Sequence, residues 1–312
     1  MTDRFWKRLL RGDRTSIQRD DWPRFAGQNW LEGIMDVAVT DRFHAKQGRS
    51  TGRWILHQEN GSLSVYLKRH YRLNRWRGLL ATMWPRHGWS PALQEWHHLE
   101  WAREQGLPVP RNVAAGETIG PWGKLQSFLA VEELTGMLPL HEAIPIAKGN
   151  LDAPQFRLWK RGLVAEVAQI ARTLHGLRYF HKDLYFCHFY IPEEMCFSNP
   201  SLEGAAWNFN KHVYLIDLHR LSRNRLTWPF WQVKDLAQLA YSSEIEGIDA
   251  RDRLAFWRAY LGPRRVTWFN TWLQAAIRLK WRRYRRHNAK KQASSVLNST
   301  RVSASEHLAT TN

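Results

Sequence analysis

His181-Lys182-Asp183-Leu184-Tyr185-Phe186-Cys187-His188-Phe189 is followed downstream by Tyr214-Leu215-Ile216-Asp217-Leu218-His219. Between Phe156 and Leu177, Leu158, Leu163, Val167, Ile170 and Leu174 recur at helical spacing and lead directly into the first stretch. The second is a short apolar run that stops on a carboxylate. Together they predict a helix that delivers a loop containing Asp183, and a strand that delivers Asp217.

Upstream the pattern changes to short alternating runs, Val37-Ala38-Val39, Arg53-Trp54-Ile55-Leu56 and Leu63-Ser64-Val65-Tyr66-Leu67, separated by Gly48, Gly52 and Asn60-Gly61. Such runs read as antiparallel strands, and Asn-Gly is a strong hairpin turn. Ser90-Pro91 then opens a helix, with serine at the N-cap and proline where no amide hydrogen is needed, and Gly106 and Pro108 close it. Leu93, Trp96, Leu99 and Ala102 form its apolar face, with Glu95 at the edge of that face. Extended segments from Val109 to Val131 follow, and Glu132-Glu133 reads as a connector into a mainly helical second half. There, Lys234 to Ala240 and Arg251 to Tyr260 are amphipathic segments. Residues 264–287 set Trp268, Trp272, Ala276 and Leu279 on one side and end in a cluster of arginines.

The 312 residues carry 46 Lys and Arg against 28 Asp and Glu, a formal charge of +18 that must attract anionic partners such as nucleic acid, phospholipid or phosphorylated glycan. No nucleic-acid motif accompanies the charge, so nucleic acid is not the expected partner. Cys187 and Cys196 support neither a zinc pairing nor a disulfide framework, which fits a reducing compartment. The N-terminus has no apolar core with a cleavage site, and no stretch reaches the roughly 18 apolar residues of a spanning helix. A soluble protein, or one that lies on a membrane without crossing it, is expected. The 18 tryptophans have no fixed period; most are expected in the core, and their number also suits a peripheral position at a membrane.

A loop aspartate, a polar residue five positions on and an aspartate after a later strand form the pattern of phosphoryl-transfer sites of the protein-kinase type. Such catalysis consists of gripping phosphate and metal in line with an acceptor hydroxyl. Asp183 is the candidate base for that hydroxyl and Asp217 the candidate magnesium ligand. His188 stands where protein kinases carry asparagine. It could bind a second metal through a neutral ring nitrogen, or hydrogen-bond to Asp183 or to a phosphate, since magnesium prefers hard oxygens. Lys68, closing Val65-Tyr66-Leu67-Lys68, is placed to bridge the α- and β-phosphates of ATP, with Glu95 pairing to it. Gly48 and Gly52, within Lys46 to Trp54, are either a phosphate-covering loop or an ordinary turn. Asp235 reads as a structural aspartate behind the catalytic loop, or as a solvated helix residue.

The chain resembles the lipopolysaccharide kinases of the Kdo kinase and heptose I kinase family, relatives of protein kinases. The resemblance rests on Leu174-His175 leading to His181 through Phe189, on Val213-Tyr214-Leu215-Ile216-Asp217-Leu218-His219-Arg220 and on Lys234-Asp235-Leu236-Ala237. Gln94-Glu95-Trp96 through Gly106-Leu107-Pro108-Val109-Pro110 also matches, and coverage runs from roughly residue 35 to 260. It implies an α+β, two-lobed protein-kinase-like fold, with an antiparallel sheet plus one helix in the N-lobe and a mainly helical C-lobe. It further implies transfer from ATP, with Mg2+, to a heptose or Kdo hydroxyl of the lipopolysaccharide inner core, a lipid A-linked glycolipid. The enzyme would be cytoplasmic and peripheral at the inner face of the inner membrane, on an anionic surface. Two departures from protein kinases stand out. Leu218-His219 replaces Phe-Gly after the metal aspartate, and Lys182 replaces arginine, which keeps charge and loses bidentate geometry.

The expected organisation is a leader over 1–30, an N-lobe over 31–132, a C-lobe over 133–287 ending in the basic amphipathic helix, and a disordered tail over 288–312. A protein kinase and an ATP-binding pseudokinase are the alternatives. The absence of an Ala-Pro-Glu segment and the short interval between Asp217 and Asp235 argue against a peptide-docking activation segment.

Overall fold

A computed structural model describes residues 2–43, 48–59, 61–84, 88–197, 207–263 and 267–309. Its contacts divide the chain into two compact units. One comprises Met1–Leu138, Phe189–Glu194 and Asn210–Leu221; the other comprises Pro139–His188, Met195–Phe209 and Ser222–Asn312.

The first unit is built on a six-stranded antiparallel sheet. In chain order it contains α1 (Thr2–Arg11), β1 (Asp13–Gln18), α2 (Trp22–Ala26), α3 (Trp30–Gly33), β2 (Thr40–Phe43), β3 (Arg49–Gln58), β4 (Gly61–His70), α4 (Arg75–Met83), α5 (Pro91–Glu104), β5 (Asn112–Ile119) and β6 (Leu125–Glu132). The strand order is β1-β5-β6-β4-β3-β2. β3 and β4 pair in unbroken register from Arg49↔His70 to Gln58↔Gly61, the hairpin the alternating runs predict. Asn60 lies outside the described residues. The first thirty residues are woven into the unit, because β1 pairs with β5 along its whole length.

Alternation along β4 buries Val65 and Leu67 on the core side, where Trp22, Leu63, Val113 and Phe128 join them. Trp22 is fully enclosed and meets Trp30 and Trp54 edge to face, and Trp96, Trp159 and Trp207 are also buried. Trp6, Trp76, Trp84, Trp122, Trp268 and Trp272 are exposed, so the core takes fewer tryptophans than expected. Val37-Ala38-Val39, expected as a strand, is not one; the strand begins at Thr40. The physical reason is Arg69. Its guanidinium, 2% exposed, donates to the carbonyls of Met35 at 2.9 Å and Val37 at 2.7 Å, taking acceptors that a sheet ladder would need.

α5 follows its sequence signals closely. The Ser90 hydroxyl accepts from the Leu93 amide at 3.3 Å, and Leu93, Glu95, Trp96, Leu99 and Ala102 face inward. Gly106 adopts φ +75°, and the Leu107 amide reaches back to the Ala102 carbonyl, the usual glycine-terminated helix exit. The chain returns to this unit as a short antiparallel pair, Phe189–Pro192 with Tyr214–Leu215.

The second unit is helical: α6 (Leu140–Asn150), α7 (Ala153–Gly176), α8 (Trp228–Ser242), α9 (Ala250–Leu261) and α10 (Trp268–Ala309), with a two-residue pairing of Tyr179–Phe180 to Ser222–Arg223. α7 is opened by a capping box, Asp152 with Gln155. It buries Leu163, Val167, Ile170 and Leu174 as predicted, whereas Leu158 is 47% exposed because Trp159, one position round the helix, takes the core site.

α10 differs from expectation in two ways. It continues to Ala309, through residues expected to be a disordered tail. That segment holds neither Gly nor Pro before Ala309 and includes good helix formers, so nothing in the sequence interrupts the helix. Its buried face is also rotated by about one residue step, roughly 100°, from the predicted stripe. Leu273 and Ile277 are buried, while Trp268 is 81%, Trp272 46% and Leu279 55% exposed.

β4 ends on His70, nearly enclosed and 3.4 Å from the Ser127 hydroxyl. Burial, followed by the charges of Arg49, Lys68 and His219, pushes its pKa down to about 4. In the unfolded chain a histidine takes its proton near 6.5. Between those values the unfolded state therefore binds more protons, and stability falls as pH drops through the window. Denaturant titrations of the parent and of His70→Gln between pH 7 and 4 should differ by roughly 1–3 kcal/mol in that pH-dependent loss. Identical slopes would remove His70 as its source.

Candidate active site

In the first unit, β4 presents Lys68 on the face opposite Leu67, and α5 presents Glu95. The Lys68 ammonium lies 2.7 Å from Glu95 Oε1 and 3.1 Å from Asp217 Oδ1, so one cation joins the strand, the helix and the aspartate that ends Tyr214–Leu215. Burial works against the charge on Lys68. The carboxylates of Glu95 and Asp217 outweigh it and hold the ammonium above the ordinary lysine value. Lys68, Glu95 and Asp217 are therefore brought together as their order in the sequence suggested.

Asp217 sits at φ 62°, ψ 54°, a left-handed conformation disfavoured for a residue with a side chain and typical of functional sites. Two imidazoles brace it. His219 Nδ1 lies 2.8 Å from Asp217 Oδ1, and His98, one turn beyond Glu95 on α5, donates from Nδ1 to the Leu218 carbonyl at 2.9 Å. Sequence reading noted His219 only as a departure from Phe-Gly and missed His98. The signal available was the spacing Glu95 to His98, which puts both side chains on one helix face.

In the second unit the loop from His181 is held from behind by Asp235, which is wholly buried and accepts the amides of His181 and Lys182 at 2.8 Å each. Asp235 is thus a structural aspartate of α8, and His175 approaches it at 3.4 Å. Tyr260, hydrogen-bonded to His175, is pushed up chiefly by burial. One turn along α8, Gln238 accepts the Leu184 amide at 3.1 Å and donates toward Asp183 Oδ1 at 3.4 Å. Lys234 donates to the Lys182 carbonyl and lies 3.7 Å from Asp183 Oδ1. Lys234 and Gln238 were not singled out in the sequence, although 231, 234, 235 and 238 share one helical face. Burial likewise raises Tyr185 and pushes Tyr284 up to about 12, so both keep their phenolic protons beside the loop.

His188 binds the loop to itself. Its Nδ1 is 2.6 Å from the Asp183 carbonyl, and since a carbonyl only accepts, Nδ1 carries the proton. Of the roles open to His188, the hydrogen bond to Asp183 is made, and it goes to the main chain.

Gly52 lies inside β3 opposite Leu67, and a Cβ there would come within 2.5 Å of Val39 Cγ2 and 2.8 Å of the Thr40 carbonyl. Close approach of the neighbouring chain is sufficient reason for that glycine. Gly48 turns at φ +73°, its carbonyl accepting from the Tyr71 amide at 2.8 Å, and Lys46 and Gln47 lie outside the described residues. Glu132 and Glu133, expected as a connector, are pinned within the first unit by Arg19 at 2.9 Å and Arg53 at 2.8 Å.

The family described as "Lipopolysaccharide kinase (Kdo/WaaP) family" matches residues 40–260. The lipopolysaccharide core heptose(I) kinase WaaP of Pseudomonas aeruginosa is 30% identical over 213 residues, 67% of this chain and 74% of that protein. The protein of the same name from Escherichia coli K12 is 29% identical over 170 residues, 54% of this chain and 59% of its own length. A solved structure, "WaaP in complex with acyl carrier protein", superimposes with a TM-score of 0.63 at 24% identity, covering 86% of this chain and 98% of that one, which shows the shared protein-kinase-like fold. With more than half its length matched, this chain belongs to the lipopolysaccharide kinase (Kdo/WaaP) family and is by that membership a phosphotransferase.

Proposed function

We propose that the chain transfers the γ-phosphoryl group of ATP to a hydroxyl of an inner-core sugar of lipopolysaccharide, heptose or Kdo. The observation that carries this reading is the Lys68 ammonium held between Glu95 and Asp217 at 2.7 and 3.1 Å. Lys68 would neutralise the α- and β-phosphates, and Asp183, aimed by Gln238 and backed by Asp235, would take the proton of the attacking hydroxyl. The bond from the sugar oxygen to the γ-phosphorus forms as the bond to the β-phosphate oxygen breaks, leaving ADP and a sugar phosphate.

Magnesium fits this donor set. It is ordinarily bound through one or two carboxylates, with substrate phosphates and water completing the shell. Asp217 would supply a hard oxygen, and a ring nitrogen of His188 is retained as the softer candidate donor. When bound, the ion would offset phosphate charge. Gly48 is retained as a candidate for the phosphate-covering turn, with Gly52 beside it.

The +18 charge and the exposed Trp268, Trp272 and Leu279 beside Arg278, Arg282 and Arg283 support a peripheral position on an anionic bilayer, at the cytoplasmic face of the inner membrane. No described helix is long and apolar enough to cross one. Purified protein given γ-labelled ATP, magnesium and lipid A-core glycolipid should label the glycolipid. Asp183→Ala should reduce the rate by on the order of 10²–10⁴, with Lys68→Met impaired as well. Label appearing in a peptide mixture and not in glycolipid would move the assignment to protein kinase.

We also extend to this chain the partner of the solved relative. The second unit holds an apolar cavity of about 400 Å³ between α6, α7, α9 and α10, lined by Ile144, Leu163, Val167, Phe186, Trp257 and Ile277. A cavity of this character suits a fatty acyl chain, each buried methylene contributing ~0.8 kcal/mol. In calorimetry, acyl carrier protein bearing a long acyl chain should bind at least about tenfold tighter than the unacylated form. Equal affinities would separate the cavity from that partner.

A further inference from the structure

Outside the catalytic contacts, the second unit gathers cations onto aromatic rings along the start of α8. The Arg178 guanidinium lies 3.8 Å from the Trp228 ring centre. Trp231 receives two ammonium groups, Lys182 at 4.2 Å and Lys234 at 5.6 Å. Phe230, which packs edge-on against Trp231 and is 56% exposed, carries Lys280 of α10 at 5.1 Å. The strip ends at the reacting centre, because the same Lys234 ammonium lies 3.7 Å from Asp183.

The backbone adds a second, independent observation. Arg178 at φ 62° and Lys182 at φ 69° both occupy the left-handed region that favours glycine, yet both carry long cationic side chains laid on tryptophans. Each such residue costs about 1–2 kcal/mol. Arg178 lies at the left-handed position just past α7 with its amide bonded to the His175 carbonyl, and the Lys182 amide is held by Asp235, so main-chain bonds fix both turns and aim both cations at the rings.

We propose that Trp228, Phe230 and Trp231, with Arg178, Lys182, Lys234 and Lys280, form the docking surface for the acidic glycan of the acceptor. The ring faces take the apolar faces of the sugars, and the cations take their carboxylate and phosphate groups. Asp183 stands at the inner end, where the reacting hydroxyl arrives. This deepens the function proposed above and rests on it for the identity of the glycan. Charge complementarity selects the occupant: the strip sets four cations on three aromatic rings, and an inner-core glycan carries several anions.

The test uses the full chain and the acceptor glycan freed of its acyl chains, so that membrane affinity plays no part. Trp231→Leu should raise KM for the glycan by about tenfold or more, with KM for ATP within about twofold of the parent, and Trp231→Phe should recover most of the loss. Phe230→Ala combined with Lys280→Met should raise the same KM about three- to tenfold. An unchanged glycan KM in both variants overturns the proposal, as does a defect confined to binding of anionic phospholipid vesicles, which would make the strip a bilayer contact. Calorimetric titration of the glycan keeps the two readings apart. If the parent binds glycan and Trp231→Leu does not, the surface stands even where no phosphate is transferred; if neither transfer nor binding occurs, both fail.

Discussion

The Lys68 ammonium is the point on which the first unit's chemistry depends. Lys68 is half-buried on the sheet, where desolvation works against its charge, and two carboxylates outweigh that effect. Because Glu95 comes from α5 and Asp217 from the end of a strand far along the chain, the ion pairs tie three separate segments into one geometry. Removing one carboxylate would leave the remaining charges incompletely matched in a site of reduced solvation, a situation far more damaging than losing a surface ion pair. The left-handed turn at Asp217 is held by the same set, with His219 on the carboxylate and His98 on the adjoining carbonyl.

The second unit solves a different problem. The loop from His181 is only partly enclosed, with His181 and Leu184 buried and the residues between them half-buried, so packing alone does not fix it. Here the loop is held through its amides. Asp235 takes two, Gln238 takes a third and the Ser242 hydroxyl takes that of Phe186, so successive turns of one helix read out the backbone of the loop. The main chain beneath Lys182 and Asp183 is thereby determined. His188 closes the last gap from within the loop.

Much of this was legible in the sequence, for identifiable reasons. Asp183, Asp217, Lys68 and Glu95 could be found because phosphoryl transfer needs their residue types in a set order, and α5 because its caps and its apolar face agree. Asp235 was legible only as one of two alternatives, and its burial decides for the structural one. The failures share a cause. Val37-Ala38-Val39 has the composition of a strand, but a distant buried guanidinium claims the carbonyls beside it. The apolar stripe of α10 was taken from the larger residues, whereas the core accepted Leu273 and Ile277. His98, Lys234 and Gln238 act by where their helices lie, and local pattern does not encode that. Gly52 is explained by the crowding of Val39, a contact between segments that no local motif announces.

Arg69 and His70 are neighbours on β4 whose side chains leave on opposite faces. The Arg69 guanidinium is solvated by peptide carbonyls and a serine hydroxyl, groups with no proton to gain or lose in ordinary acid. His70 faces the side that carries Lys68, where any added proton meets charge of the same sign. Acidification therefore loads one face of the strand with repulsion and leaves the other untouched. The carbonyl seam that anchors the chain before β2 holds no titrating group, whereas the face that presents Lys68 gains charge through His70.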